Sequence, residues 1–316
     1  ASSWDRRLME RVGRLLAAEA RRQEVDVVLG PTMNLHRSPL AGRNFECLSE
    51  DPLLTGELAA AYVDGIQGQG IGACPKHFVA NEAETERTTV NNVLDERTLH
   101  EVYLAPFERV VRQARPWMIM AAYNGVNGKA MTENPLTENP LKTEWGFEGA
   151  VVSDWHAVYS TVDSALSATD LAMPGPEKLW GDGLVEAISS GLVPEAVIDE
   201  KVRRLVTLGR RVEGGRRSEP AAPEAGASVA REAAAAGFVL LENPAGVLPL
   251  SPGDLASIAV VGPAALDPRT QGGGKRRPGD HRPGSCPFDH ASQGLGRQPG
   301  VEGHEGRIGL QRRQHG

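Results

Sequence analysis

The chain has 316 residues, 40% of them apolar and 24% charged, which are globular values and enough for one large domain or one and a half ordinary ones. No run of eighteen apolar residues occurs, so no membrane-spanning helix is expected, and the net charge of −7 argues against nucleic acid as the main partner. Cys47, Cys74 and Cys286 are far apart with no CxxC pair, which suggests neither a zinc site nor a disulfide framework.

The opening ASSWDRRLMERV lacks the basic-then-apolar order of a secretory signal, so a cytoplasmic location is expected. The chain also begins as if in mid-domain. VDVVLG (25–30) is the first strand candidate. DPLLTGELAAAYVDGIQ then reads as a helix, with Pro52 suited to its first turn and Leu54, Leu58 and Tyr62 on one face. IGACP (71–75) is the second strand. Asp95 can cap a helix carrying Leu99, Val102, Phe107, Val110 and Val111, which Pro106 should bend. WMIMAAYN (117–124), GAVVSDW (149–155) and DLAMPG (170–175) complete the strands, and a helix from about Pro194 to Val212 closes this part.

Apolar strands alternating with helices imply a parallel sheet buried on both faces. Polar residues cluster just after the runs: Asn34 to Arg43, Lys76 to Arg87, Tyr123 with Asn124, and Asp154 with Trp155. An α/β barrel gathers its chemistry at the C-terminal ends of several strands, whereas a doubly wound sheet does so around one switch point. The expected fold is therefore α/β, an incomplete (β/α)8 TIM-type barrel over residues 1–212 whose start is missing. EGGRRSEPAAPEAGAS (213–228) reads as a linker. Residues 229–271, with the strands FVLLEN (238–243) and IAVVGP (258–263), read as the beginning of a C-terminal α/β sandwich. An unfinished sheet edge there would favour self-association. Residues 272–316 carry +4 against −11 for the remainder, with twelve of the 36 glycines and only seven apolar residues. Such a segment buries too little to offset its ordering entropy, so a disordered tail is expected. Its four histidines fit no metal spacing.

Asp154 ends the run AVVS and is followed directly by an indole. Alone, it reads as a strand-end or capping aspartate. With Arg43, Lys76 and Arg87 gathered at one barrel mouth, it becomes a carboxylate held ionised among hydroxyl-binding donors. Tyr123 and Trp155 add aromatic faces suited to sugar rings. No metal cluster, no phosphate loop and no cofactor motif is present, so a neutral polyol is the expected partner. Lys76 and His77, being consecutive, are expected to point into different environments.

GPTMNLHRSPLAGRNFECLSEDPLLTG, KHFVANEAETER, MAAYNGVNG and VVSDW, in that order and spacing, resemble glycoside hydrolase family 3, in its β-glucosidase-like branch. The likeness runs from about Ser3 to Gly274. It implies that Asp154 is the nucleophile of a double displacement and that Arg43, Lys76, His77, Arg87, Met120 and Tyr123 line the −1 sugar subsite. It further implies that Trp155 flanks the bound sugar. The single-domain N-acetylglucosaminidase branch carries a KHFPGHG loop, which KHFVANE lacks. The resemblance also implies an acid/base glutamate from the C-terminal sandwich. The pattern is left after RTQGGG, where KRRPGDHRPGSCPFDH reads like out-of-frame text. The DGPxGxR stretch that grips sugar hydroxyls would precede ASSWD. The resulting expectation is a retaining β-glycosidase, impaired for want of its acid, with a sugar-binding remnant, a β-xylosidase or an α-arabinofuranosidase as alternatives.

Overall fold

The computed structural model describes residues 1–175, 179–217, 226–262 and 265. It divides into two compact units, Ala1–Pro244 and Ala245–Gly316.

Asp5 opens α1 (Arg6–Arg22), a helix that the apolar runs did not announce, by accepting from the Arg7 and Leu8 amides. Strand β1 (Val27–Val28) is short, and Asp51 then caps α2 (Pro52–Gln67), whose Pro52 sits in the first turn as expected. Helices α1 and α2 cross at paired glycines: a Cβ on Gly13 would meet the Tyr62 carbonyl oxygen at 2.4 Å, and one on Gly65 would meet that of Glu10 at 2.1 Å. Next come β2 (Gly72–Ala73), β3 (Lys76–Phe78) and β4 (Asn91–Asn92). Asp95 caps α3 (Glu96–Thr98), which passes through π-helical turns at Leu99–Leu104 into α4 (Ala105–Ala114). The widened turns precede Pro106, which has no amide hydrogen to give to the Val102 carbonyl. The disturbance expected at Pro106 takes the form of this change in helical winding.

The remaining strands are β5 (Met118–Ala121), β6 (Gly125–Val126), β7 (Lys129–Ala130), β8 (Ala150–Trp155) and, after α5 (Val162–Leu166), β9 (Leu171–Met173). Helices α6 (Asp182–Ser189), α7 (Glu195–Arg217) and α8 (Gly226–Gly237) follow. β1 pairs with β2, and β3, β5, β8 and β9 form one parallel sheet in that order. A bridge between Thr32 and Lys76 carries the parallel pairing along the same chain segments. β4, β6 and β7 form a separate small sheet above the strand ends. The α/β class and the five parallel runs are thus as expected, although the strands are shorter than their apolar runs.

The period of two along the strands sorts the side chains. Met118 and Met120 of β5, Ala150 and Val152 of β8, and Cys74 form one buried cluster. Asp154, two residues beyond Val152, therefore rises from the same face at the C-terminal rim. The opposite end of β8 is fixed by a different carboxylate. Asp170, with no side-chain exposure, accepts from Lys142 Nζ at 2.7 Å and the Val151 amide at 2.8 Å, with Arg204 at 3.2 Å. A buried ion pair at that end of a barrel serves stability rather than chemistry. Asp170→Ala is expected to cost about 3–5 kcal/mol, because the buried Lys142 ammonium loses its carboxylate partner. Urea unfolding of the variant against wild type measures it.

Two expected strands are not strands among the described residues. Residues 238–243 and 258–262 belong to no sheet, and Phe238 and Leu241 are 84% and 88% exposed. A strand persists only against an edge that accepts its ladder bonds. Helix α8 packs instead on α1, where Arg11 bonds Glu232 at 2.7 Å and Val229 is buried. Half of the supposed linker, 218–225, and the tail 272–316 lie outside the described residues, and the linker's two ends belong to α7 and α8.

Candidate active site

Asp154 occupies the last turn of β8 with only 9% exposure. Its Oδ1 accepts the Trp155 amide at 2.7 Å, and its Oδ2 is buried with no hydrogen-bond partner. His77 Nε2 approaches that oxygen to 3.4 Å, within ion-pair range but outside hydrogen-bond geometry. An unbonded carboxylate oxygen in the interior is costly unless something else meets it.

Arg43, Lys76 and Arg87 all act on Asp154 electrostatically. Burial nevertheless outweighs them: it raises the Asp154 pKa above the ordinary aspartate value, with the Trp155 amide and the three cations pulling the other way. The cations and the amide hydrogen bond act in the expected direction, and desolvation opposes them. Because the folded form holds its proton to higher pH than the unfolded one, this group's contribution to stability is greatest below the unfolded pKa. It is lost as pH rises through the folded pKa. For chemistry the sign is opposite, since only the ionised form attacks. The acidic limb of any reaction at Asp154 is expected above the ~3.9 of an ordinary aspartate. The rate of covalent labelling against pH reads it directly.

The cations are themselves held by acids. Arg43 donates to Glu46, which also accepts from Thr32 Oγ1 at 2.7 Å. Burial works to raise the Glu46 carboxyl, yet Arg43, Thr32 and Lys76 hold it below its usual range. Glu84 lies between Arg87, at 3.3 Å, and Arg43, at 4.0 Å, and burial raises its pKa despite both. The Arg87 guanidinium sits over the Tyr123 ring, 4.4 Å from its centroid. Arg87 Nε, although 3.3 Å from Glu84, lacks the alignment of a hydrogen bond, so the pair is ionic. Burial, then the charge of Asp154, pushes the Tyr123 phenol up to about 12, which keeps it a neutral O–H donor.

Lys76 and His77 both converge on Asp154, contrary to the separate environments expected of consecutive strand residues. The β3–β5 register shifts between Lys76 and Phe78, which breaks the simple alternation. Met120 lies in the packed layer beneath, 2% exposed, so its contribution is to the floor. Trp155, 44% exposed, presents its indole at the rim. Beside it Tyr159 donates to the Tyr123 carbonyl at 3.3 Å, and a cavity of about 180 Å³ opens between residues 88–91, the β6–β7 hairpin and these two tyrosines. Asn34, Glu46, Glu84 and Tyr159 were not singled out from the sequence. Glu46 and Glu84 each stand three residues from an arginine already singled out, a spacing that could have pointed to them.

The fold and site together define a class: a parallel α/β barrel with a buried, incompletely bonded carboxylate at a strand end, ringed by Arg43, Lys76 and Arg87 and bordered by an aromatic rim. Residues 1–208 match the family model described as the glycosyl hydrolase family 3 N-terminal domain, and the chain belongs to that family. It is 44% identical over 286 residues to a beta-glucosidase of Rhizobium radiobacter, covering 89% of this chain and 35% of that one. It is 45% identical over 276 residues to thermostable beta-glucosidase B of Acetivibrio thermocellus, covering 87% and 36%. Among solved structures it is similar to beta-glucosidase 3B of Thermotoga neapolitana in complex with glucose, with a TM-score of 0.74, 45% identity, and coverage of 79% of this chain and 36% of that one. The family 3 beta-glucosidase of Bifidobacterium adolescentis superposes with a TM-score of 0.75 at 37% identity. The chain thus spans about a third of the length of these relatives. No helix among the described residues is long and apolar enough to cross a membrane.

Proposed function

We propose that the chain is the barrel portion of a retaining glycosidase acting on β-glucosides or closely related β-glycosides. In this reading Asp154 attacks the anomeric carbon of the sugar, the C1–O bond to the aglycone breaks with its electron pair on the departing oxygen, and a covalent glycosyl-aspartate forms. Water then attacks the same carbon and releases the carboxylate. Arg43, Lys76, His77, Arg87 and Tyr123 bind hydroxyls in the −1 subsite, where bonds that tighten in the transition state count most. Met120 supports the floor and Trp155 flanks the sugar.

The observation that carries this reading is the unpartnered Oδ2 of Asp154, buried inside a ring of donors. The similarity to relatives named beta-glucosidases favours a glucoside over other neutral polyols. Protonation of the leaving oxygen needs a second carboxyl group. Glu84 and Glu46, whose charges belong to this cluster, are both ion-paired to arginine and so are poor acids. The acid is assigned to a glutamate beyond the barrel portion.

Incubation with a 2-deoxy-2-fluoro-β-glucosyl donor bearing a dinitrophenyl leaving group tests the proposal. A stable adduct, located on the peptide containing Asp154 by mass spectrometry, is the expected result. Calorimetric binding of glucose without any adduct supports a non-catalytic sugar-binding protein instead.

A further inference from the structure

We infer that Asn34 is a positioning residue: it fixes His77 as the Nδ1–H tautomer, so that Nε2 stands at the carboxylate as a hydrogen-bond acceptor rather than a donor.

Both side chains are almost wholly buried, at 3% and 2% exposure. Three hydrogen bonds join them. Asn34 Nδ2 donates to the His77 carbonyl at 3.1 Å, Asn34 Oδ1 accepts the His77 amide at 3.0 Å, and the same Oδ1 lies 2.9 Å from His77 Nδ1. The amide orientation is set by chemistry rather than by choice of label. Flipping it would place an NH2 group against the His77 N–H and an oxygen against the His77 carbonyl. The Glu82 carboxyl, which accepts the Leu35 amide at 3.1 Å, also accepts from the Asn34 side chain and holds the same orientation. With Oδ1 an acceptor on both counts, His77 Nδ1 must carry the hydrogen.

The imidazole is also neutral. Burial, followed by the charges of Arg43, Lys76 and Arg87, drives the His77 pKa well below its ordinary value. A neutral ring with hydrogen on Nδ1 has a lone pair on Nε2. That lone pair faces Asp154 Oδ2 at 3.4 Å, the oxygen that lacks a partner. Two acceptors thus confront each other, and what satisfies them is a donor placed between or beside them. A sugar hydroxyl is such a group, and in the complex it gives its proton to His77 Nε2 while its oxygen remains free to accept from a neighbouring cation. This consequence rests on the glycosidase reading above. The tautomer does not.

Nitrogen-15 NMR of the histidine-labelled chain, with the His77 signals assigned by His77→Gln, tests the tautomer without substrate. A protonated Nδ1 and an unprotonated Nε2 at neutral pH are expected. Asn34→Leu removes the acceptor and is expected to move the hydrogen to Nε2, toward Asp154. Asn34→Asp, which keeps the shape and adds a charge, is expected to produce the imidazolium with both nitrogens protonated. A wild-type ring that carries hydrogen on Nε2, or one unchanged in both variants, overturns the inference. The second arm measures binding of glucose and of its 3-, 4- and 6-deoxyfluoro analogues, since fluorine accepts weakly and donates nothing. At one position fluorine is expected to cost wild type about tenfold or more in affinity, and Asn34→Asp is expected to narrow that gap. Correct NMR signatures with no glucose binding sink the glycosidase reading and leave the tautomer standing.

Discussion

Asp154→Gly is expected to abolish covalent labelling and to lower turnover of a dinitrophenyl β-glucoside by at least about 10⁴-fold, the scale on which removing a nucleophile acts in other enzymes. The cavity left at the strand end admits a small anion. Azide at high concentration is expected to restore release of dinitrophenol by attacking C1 from the vacated side as the aglycone leaves with its electron pair. The product is then the α-glucosyl azide, inverted relative to the substrate. This stereochemical outcome separates a missing nucleophile from a misfolded barrel, because a collapsed site would show no rescue. Recovery of the β-azide, or unchanged labelling in the variant, would place the nucleophile elsewhere. Conversion to glycine also removes a buried charge whose Oδ2 lacks a partner, so the variant should unfold at a urea concentration no lower than wild type.

The second large effect concerns the leaving group. Glu46 and Glu84 are each ion-paired to arginine, which works against either serving as the general acid. General acid catalysis contributes about 10²–10⁴-fold. For this chain, rates on aryl glucosides are therefore expected to fall steeply as the phenol becomes a weaker acid. Alkyl glucosides and cellobiose should lag by about that same factor. Vigorous cellobiose hydrolysis that disappears in Asp154→Gly would mean that an acid within this chain has been overlooked, with Glu82 the first to replace. Burial raises Glu82 to about 7, although its amide partners oppose this, which places its proton within reach of neutral pH.

Much of this was legible in the residues. Pro52, by its fixed φ, and Asp95, by capping, announce their helices through local geometry that depends on near neighbours only. The apolar runs announce β5 and β8, and the clustering of polar residues after each run announces the strand-end site. Helix α1 was not foreseen, because DRRLMERV carries many charges and its packing face against α2 depends on a glycine crossing more than fifty residues away. FVLLEN and IAVVG were read as strands on propensity, but propensity describes fitness for a sheet and does not supply an edge.

The sequence by itself determined the family and the parallel α/β class and singled out Asp154 as the candidate, since order and spacing of four motifs are properties of the linear chain. Only the tertiary structure decided that burial opposes the cations at that carboxylate, which acids hold the arginines, and that His77 faces its free oxygen while Lys76 acts on it by charge. Asn34 and His77 are 43 residues apart in the chain, and Arg43 and Arg87 are 44 apart. Desolvation and hydrogen-bond direction depend on distances in space, and a one-dimensional pattern contains none.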